Sequence, residues 1–297
     1  MKFIGQAPLK FLIDMQIEHG NFSRFTIISG ETGSGKHEMV KYIHENLSKR
    51  ETGLTIYEAD NTVEAVRKVI TDAHKSFGTP ILYVFYNADT MSPSAKNALL
   101  KLTEEPPKNA YIIMTVTNSG SIMDTLLSRA SVYYMTPYNL AELTEYTKEH
   151  FPGEETSGVC EICSTPGEIN EVERVCDGKA VNLLNYVETI INKINDVTIA
   201  NAFKMADRIA MKDTDTNKYS LRAVFRAVNH LLLSKIVASE GDTDYDVVLD
   251  KWGQVIEATT NCINTLDRTP TISKMALLDL WIIKIRAILD TYEEEVI

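Results

Sequence analysis

The sequence predicts an α/β domain built on a parallel sheet, followed by two all-helical regions. Three observations carry that prediction. Short β-like runs alternate with helical stretches as far as Pro137. A glycine-rich segment, Gly30 to Lys36, sits between the first strand and the helix after it. From Leu140 onward no convincing strand appears.

The elements follow in order. Phe25–Ser29 reads as a strand. His37–Lys49 reads as a helix with Met39, Val40, Ile43 and Leu47 on one face. Leu54–Glu58 is a second strand and Val63–Lys75 a second helix. Ile81–Phe85 is apolar throughout and rich in β-branched and aromatic residues, as a strand covered on both faces must be. Ser94–Thr103 is helical, and Tyr111–Thr117 and Ser131–Met135 complete the strands. Beyond Pro137 come short helices at Leu140–His150, Gly158–Cys163 and Ile169–Cys176, then Val181–Ile194. Longer helices follow at Ala200–Met211, Leu221–Ala238, Tyr245–Leu266 and Ile272–Tyr292. The expected domains are 1–137, 138–197 and 198–297.

Composition bounds the function. A chain of 297 residues suggests about two domains and permits three small ones. Apolar residues at 44% and charged residues at 24% exclude disorder for most of it. A net charge of −11 argues against a broadly basic grip on nucleic acid, while leaving room for a local basic patch. No apolar run approaches the roughly 18 residues of a membrane span. Lys2, Lys10 and Asp14 and the lack of a small-residue cleavage site make the start unlike a signal peptide. Four cysteines do not make a disulfide framework. The expectation is a soluble, cytoplasmic protein.

Gly30-Glu31-Thr32-Gly33-Ser34-Gly35-Lys36 has the spacing of a phosphate-binding P-loop in the required context. Glycines let backbone N–H groups approach phosphate oxygens. The helix N-terminus adds a positive dipole end, and Lys36 adds a point charge. Two departures stand out. The hydroxyl residue that normally follows the lysine and holds Mg²⁺ is replaced by His37, and imidazole is a poor ligand for this oxygen-seeking ion. The Ile81–Phe85 strand, which should end in acids, runs into Tyr86 and Asn87, and Asp89 comes too late. A nucleotide-hydrolase fold is expected without its metal and base chemistry.

Further motifs bring a resemblance. Tyr86-Asn87-Ala88-Asp89-Thr90-Met91 is similar to the D-E-A-D-x-M stretch of clamp-loader ATPases with its first two acids replaced. Residues 97–107, NALLKLTEEPP, resemble the N-A-L-L-K-x-L-E-E-P-P segment of bacterial clamp-loader subunits. Thr115-Val116-Thr117-Asn118 resembles the sensor strand ending in a polar residue. Residues 125–130, TLLSRA, resemble the T-x-x-S-R-C arginine-finger motif, with alanine for cysteine. Phe3-Ile4-Gly5-Gln6 resembles the I-I-G-Q opening, and Ser164-Thr165-Pro166-Gly167-Glu168 the G-S-P-G turn of the lid without its sensor arginine. The motif match covers about residues 3 to 137; beyond it the likeness is architectural.

The resemblance implies a P-loop AAA+ domain, a small helical lid and an all-α collar that mediates oligomerisation. Within the family the losses at His37, Tyr86, Asn87 and Gly167 imply a non-hydrolysing, delta-prime-like subunit of a bacterial DNA polymerase III clamp loader. Arg129 would act in trans on ATP held by a neighbouring subunit. Gly30, Glu31, Thr32, Gly33, Ser34, Gly35, Lys36, His37 and Asn118 would line any nucleotide. ATP or ADP would bind weakly or not at all, with Mg²⁺ open. The four-cysteine zinc module of active members has no room between Asn46 and Leu54, so zinc is not expected. Expected partners are the loader's ATPase subunits, the sliding clamp and, through the assembled complex, primer-template DNA. Two other readings stay open: an active ATPase or nucleotide switch using His37 and Asp89, and a degenerate loader-like subunit of another replication assembly.

Other features read as structure. Cys160 and Cys163 form C-x-x-C with no second pair at a metal-ligand spacing, which suits small buried hydrophobes. The six histidines form no ligand cluster. Leu221, Val224, Phe225, Val228, Leu231, Leu232 and Ile236 form a helical core stripe. The helix from Ile272 is apolar over more than one face and reads as bundle core, with packing against other subunits as the alternative.

Overall fold

The computed structural model describes residues 3–75, 78–152, 159–176, 180–196, 221–269 and 272–294. It divides into two compact units, Met1–Glu142 and Leu143–Ile297. The expected 138–197 and 198–297 regions therefore fall mainly in one unit. The helix expected at Ala200–Met211 and the tail beyond Glu294 lie outside the described residues.

In chain order the first unit runs α1 (Ala7–His19), β1 (Phe25–Ser29), α2 (Lys36–Ser48), β2 (Thr55–Glu58), α3 (Val63–Lys75), β3 (Ile81–Phe85), α4 (Pro93–Glu104), β4 (Ala110–Val116), α5 (Asp124–Leu127) and β5 (Ser131–Tyr134). The strands form one sheet in the order β2-β3-β4-β1-β5, and every pairing is parallel. Alternation along the strands feeds two cores. Phe25, Ile27, Tyr83, Phe85, Ile112 and Met114 face Val66 and Val69 of α3 and Leu99 and Leu102 of α4. Ile28, Leu82, Val84 and Ile113 face Ile13 of α1 and Met39, Val40 and Ile43 of α2. A sheet covered on both faces needs apolar strands throughout; β1 and β4 are accordingly buried along their whole length. Truncating a fully buried residue here, such as Ile43, removes about 2–5 kcal/mol.

The sequence reading had no helix at α1. Its apolar residues point both ways: Leu9, Ile13 and Ile17 are buried, while Phe11, Leu12 and Met15 are exposed. A helix without a polar face has no 3.6-residue signature to find.

The helix α6 (Leu140–His150) crosses the boundary between the units. The second unit continues with α7 (Val159–Ile162), α8 (Pro166–Cys176), α9 (Ala180–Asp196), α10 (Leu221–Ala238), α11 (Tyr245–Arg268) and α12 (Lys274–Glu294). No strand occurs among its described residues. Phe225 of α10 packs on Trp281 of α12, ring centroids 5.0 Å apart. The indole N–H of Trp281 donates to Thr259 Oγ1 at 2.9 Å, so the buried ring keeps no unpaired polar atom. Most of the expected α10 stripe is buried, from Leu221 to Ile236. In α12, Leu277, Leu278, Trp281, Ile282, Ile285 and Leu289 are buried, whereas Leu280 and Ile283 are exposed. Cys163 is buried; Cys160 is half-buried, its Sγ 3.4 Å from Thr147 Oγ1. No helix among the described residues is long and apolar enough to cross a membrane.

Candidate nucleotide site

The glycine-rich loop leaves the carboxyl end of β1, between β4 and β5. That edge is where open α/β sheets place ligands. The loop is anchored as it leaves the sheet: Gly30 N–H donates to Val116 O at 3.1 Å. A Cβ on Gly30 would lie 2.6 Å from Met135 Cβ and 2.9 Å from Ser34 Oγ, so only glycine fits. Gly35, at φ +87°, turns the loop into α2 in the left-handed region. Tyr138 holds the outside of this turn, its hydroxyl donating to Ser34 O at 3.1 Å. Gln6 ties the opening segment to the chain after β5. Its Nε2 donates to Thr136 O at 2.7 Å and its Oε1 accepts from Thr136 N–H at 2.8 Å.

Within the loop, Glu31 and Thr32 are exposed, Gly33 is half-buried and Ser34 and Lys36 are buried. Lys36 Nζ folds over the loop and donates to Gly30 O at 2.6 Å and Glu31 O at 2.7 Å. Burial pushes its pKa down, against the opposing pull of the negative charges of Asp89 and Glu31. Ser34 Oγ is buried without a hydrogen-bond partner.

The two substituted positions meet. The His37 ring stacks on the Tyr86 ring, centroids 3.6 Å apart and planes 7° from parallel. Tyr86 leans on Glu58, its hydroxyl 3.4 Å from Oε1. Burial, with Glu58 beside it, raises the Tyr86 pKa and keeps the phenol neutral. Asn87 sits in the left-handed region at φ 51°, its N–H donating to Thr115 Oγ1 at 3.0 Å. Asn61 clasps the segment, Nδ2 donating to Tyr86 O, Asn87 O and Thr90 Oγ1 at 2.8, 3.1 and 2.9 Å. Asp89 Oδ2 accepts from Thr117 N–H at 3.1 Å, so this carboxylate fastens the end of β4. Asn118 is turned to its own bend: Oδ1 accepts from Gly120 N–H at 2.9 Å.

P-loop chemistry implies a magnesium ion beside the loop. Mg²⁺ demands oxygen ligands in near-octahedral array. The hydroxyl position holds an imidazole, the strand-end acids are a phenol and an amide, and imidazole and phenol are engaged with each other. The residues do not fit the ion. The phosphate half of the site does fit an anion, through the loop's N–H groups and Lys36.

Away from the loop, Arg129 is exposed just after α5. Nη1 donates to Thr125 O at 2.5 Å and Nη2 to Glu104 Oε1 at 2.9 Å. Its side chain keeps 34% of its surface and that of Glu104 keeps 53%. Two sequence motifs that looked independent are thus in contact. In the second unit the Ser164–Glu168 turn carries a buried carboxylate instead of the absent arginine. Arg226 Nη1 bonds both Ser164 Oγ and Glu168 Oε2, and Arg222 Nη1 lies 4.0 Å from Glu168 Oε1.

Sequence reasoning named the loop, His37, Tyr86 and Arg129, but missed the residues that hold them. Glu58, Asn61, Met135 and Tyr138 carry no motif and Glu104 belongs to a different one, so only the fold brings them in.

Parallel sheet order, loop and helix placement define a P-loop domain of the AAA+ class. A Thermotoga maritima RuvB variant superposes with a TM-score of 0.51 at 15% identity, over 76% of this chain and 88% of that one, a likeness of fold. The family described as DNA polymerase III, delta subunit matches residues 14–139. A DNA polymerase III subunit gamma from Buchnera aphidicola subsp. Baizongia pistaciae is 26% identical over 165 residues, 47% of this chain and 45% of its own length. A DNA polymerase III subunit delta-prime from Bacillus subtilis is 27% identical over 122 residues, 41% of this chain and 30% of its own. The chain spans less than half the length of these relatives. Over its P-loop domain the chain is similar to DNA polymerase III subunits of the delta-prime and gamma kinds.

Proposed function

We propose that the chain is a non-hydrolysing subunit of a sliding-clamp loader that supplies Arg129 to ATP bound by a neighbouring subunit. The observation that carries the non-hydrolysing half is the His37–Tyr86 stack. The two positions that would supply a metal's hydroxyl and carboxylate oxygens are closed on each other. Metal ions and a positioned water supply most of phosphoryl-transfer catalysis, so turnover here is slower by orders of magnitude.

The finger half is supported by exposure and chemistry. A guanidinium is always charged and presents a planar donor fork that matches the spread charge of a transferring phosphoryl group. Arg129 stands at the surface in an ion pair with Glu104. Exposed pairs of this kind contribute about 0–1 kcal/mol, so a competing phosphate can draw the side chain away at small cost. The partners in this reading are the loader's ATPase subunits, the clamp and, through the assembly, primer-template DNA. The acidic balance of the chain suits contacts with proteins more than with DNA.

The test is reconstitution with clamp-loader ATPase subunits and a sliding clamp. The expected result is stable incorporation, ATPase of the assembly above that of the partner subunits alone, and no turnover by the isolated chain. Failure to associate, or robust hydrolysis by the chain alone, would overturn the proposal.

A further inference from the structure

The ruined metal site and the intact phosphate loop have different consequences. Loss of metal ligands removes turnover, but it does not remove the groups that hold a phosphate. The loop keeps its glycine turn at Gly35, the N-terminus of the 13-residue helix α2 and the Lys36 ammonium. It also keeps a feature that packing does not explain. Ser34 is 4% exposed, and its hydroxyl lies inside the loop, opposite Gly30, with no hydrogen-bond partner. Buried hydroxyls are normally paired, and an unpaired one costs about 1–3 kcal/mol. A phosphate oxygen would accept from it.

We infer that the Gly30–Lys36 loop is a metal-independent site for a nucleoside di- or triphosphate, with the His37–Tyr86 pair standing in place of the metal. The ligand is held by the loop's N–H groups, Ser34 Oγ and Lys36 Nζ. In P-loop sites generally, the ion neutralises part of the phosphate charge and is held by a hydroxyl after the lysine. Here that position carries an imidazole laid flat against the Tyr86 ring at 3.6 Å, which leaves no room for a water between the rings. Burial, with the negative charges of Glu58 and Glu38 nearby, keeps the Tyr86 phenol neutral, so it offers no carboxylate oxygen in the place of the strand-end acid. Binding without the ion follows from the donors alone.

This inference rests on the non-hydrolysing part of the proposed function and is independent of the finger. The experiment is calorimetric titration of the full chain with ADP and with ATP, in magnesium buffer and again in excess EDTA. Saturable binding whose dissociation constant changes by less than about threefold on chelation is expected, and Ser34→Ala should weaken it by about tenfold. Ser34→Ala leaves no partner stranded, so its fold is kept; thermal melting confirms this. A paired restoration, His37→Thr with Tyr86→Asp, should make binding tighten with magnesium by about tenfold or more. Absence of saturable binding, a tenfold loss in EDTA, indifference to Ser34→Ala, or a restored pair that ignores magnesium would each overturn the inference. ATP turnover by the isolated chain would sink the non-hydrolysing reading instead, so the two failures are distinct.

Discussion

The guanidinium of Arg129 meets the carboxylate of Glu104 at 2.9 Å, joining the last residue of α4 to the loop after α5. Both side chains are well solvated, so their attraction is screened and their ordering is costly. Glu104→Gln should therefore change the urea-unfolding free energy of the chain by less than about 1 kcal/mol. In a reconstituted assembly it should leave ATPase activity undiminished, because the arginine is only released earlier. A large destabilisation would mean that the pair holds the fold.

Gly30→Ala tests whether the loop depends on close approach. The new methyl would sit 2.6 Å from Met135 Cβ, so the loop or the end of β5 must move. Overpacking of this kind costs about 1–3 kcal/mol. Denaturant titration should show that loss, and calorimetry a loss of nucleotide affinity.

Glu168 and Arg226 bind the second unit together through a buried charge. Glu168→Ala strands the arginine beside Ser164. Breaking one partner of a buried pair costs about 3–5 kcal/mol, which chemical denaturation of the full chain would register. Glu168→Gln keeps the hydrogen-bonding shape and should cost less.

Alkaline pH should loosen the first unit. Burial, with Glu51 accepting from the hydroxyl at 2.6 Å, pushes the Tyr111 pKa up to about 12. The folded chain holds this proton more tightly than the unfolded chain, whose phenol titrates near 10. The contribution is complete below the unfolded value and is lost as pH rises through the folded one. Tyr111→Phe should flatten the stability profile between about pH 10 and 12, read by melting temperature against pH.

Much of the fold is legible in the residues. The central strands β1, β3 and β4 are mainly apolar runs, and α2, α3 and α10 keep one buried face each, so period and composition agree. The loop is legible because its glycine spacing is that of a P-loop, with Gly30 and Gly35 where a close approach and a positive φ require them. What is not legible is pairing across distance. His37 and Tyr86 each read as a loss, and only the parallel register that sets β3 beside β4, in the same sheet as β1, lets them stack. Glu104 belongs to one motif and Arg129 to another, and nothing in either announces the other. Asn118 ends the sensor-like strand motif, and the bond its side chain accepts from Gly120 N–H in its own turn is not legible from that motif. The Ser164–Glu168 turn reads as a missing arginine, while the structure puts a buried carboxylate there.

In the proposed function Arg129 contributes a cation to a neighbour's ATP. The most direct measurement is the steady-state ATPase rate of an assembled loader carrying Arg129→Ala or Arg129→Lys, with assembly verified on the same sample. Arginine fingers supply about 10³–10⁵ in rate, and lysine lacks the planar fork. Both variants should therefore assemble normally and lose activity at the site they face. A correctly assembled complex that hydrolyses ATP at the wild-type rate with alanine at position 129 would show that Arg129 is not a finger.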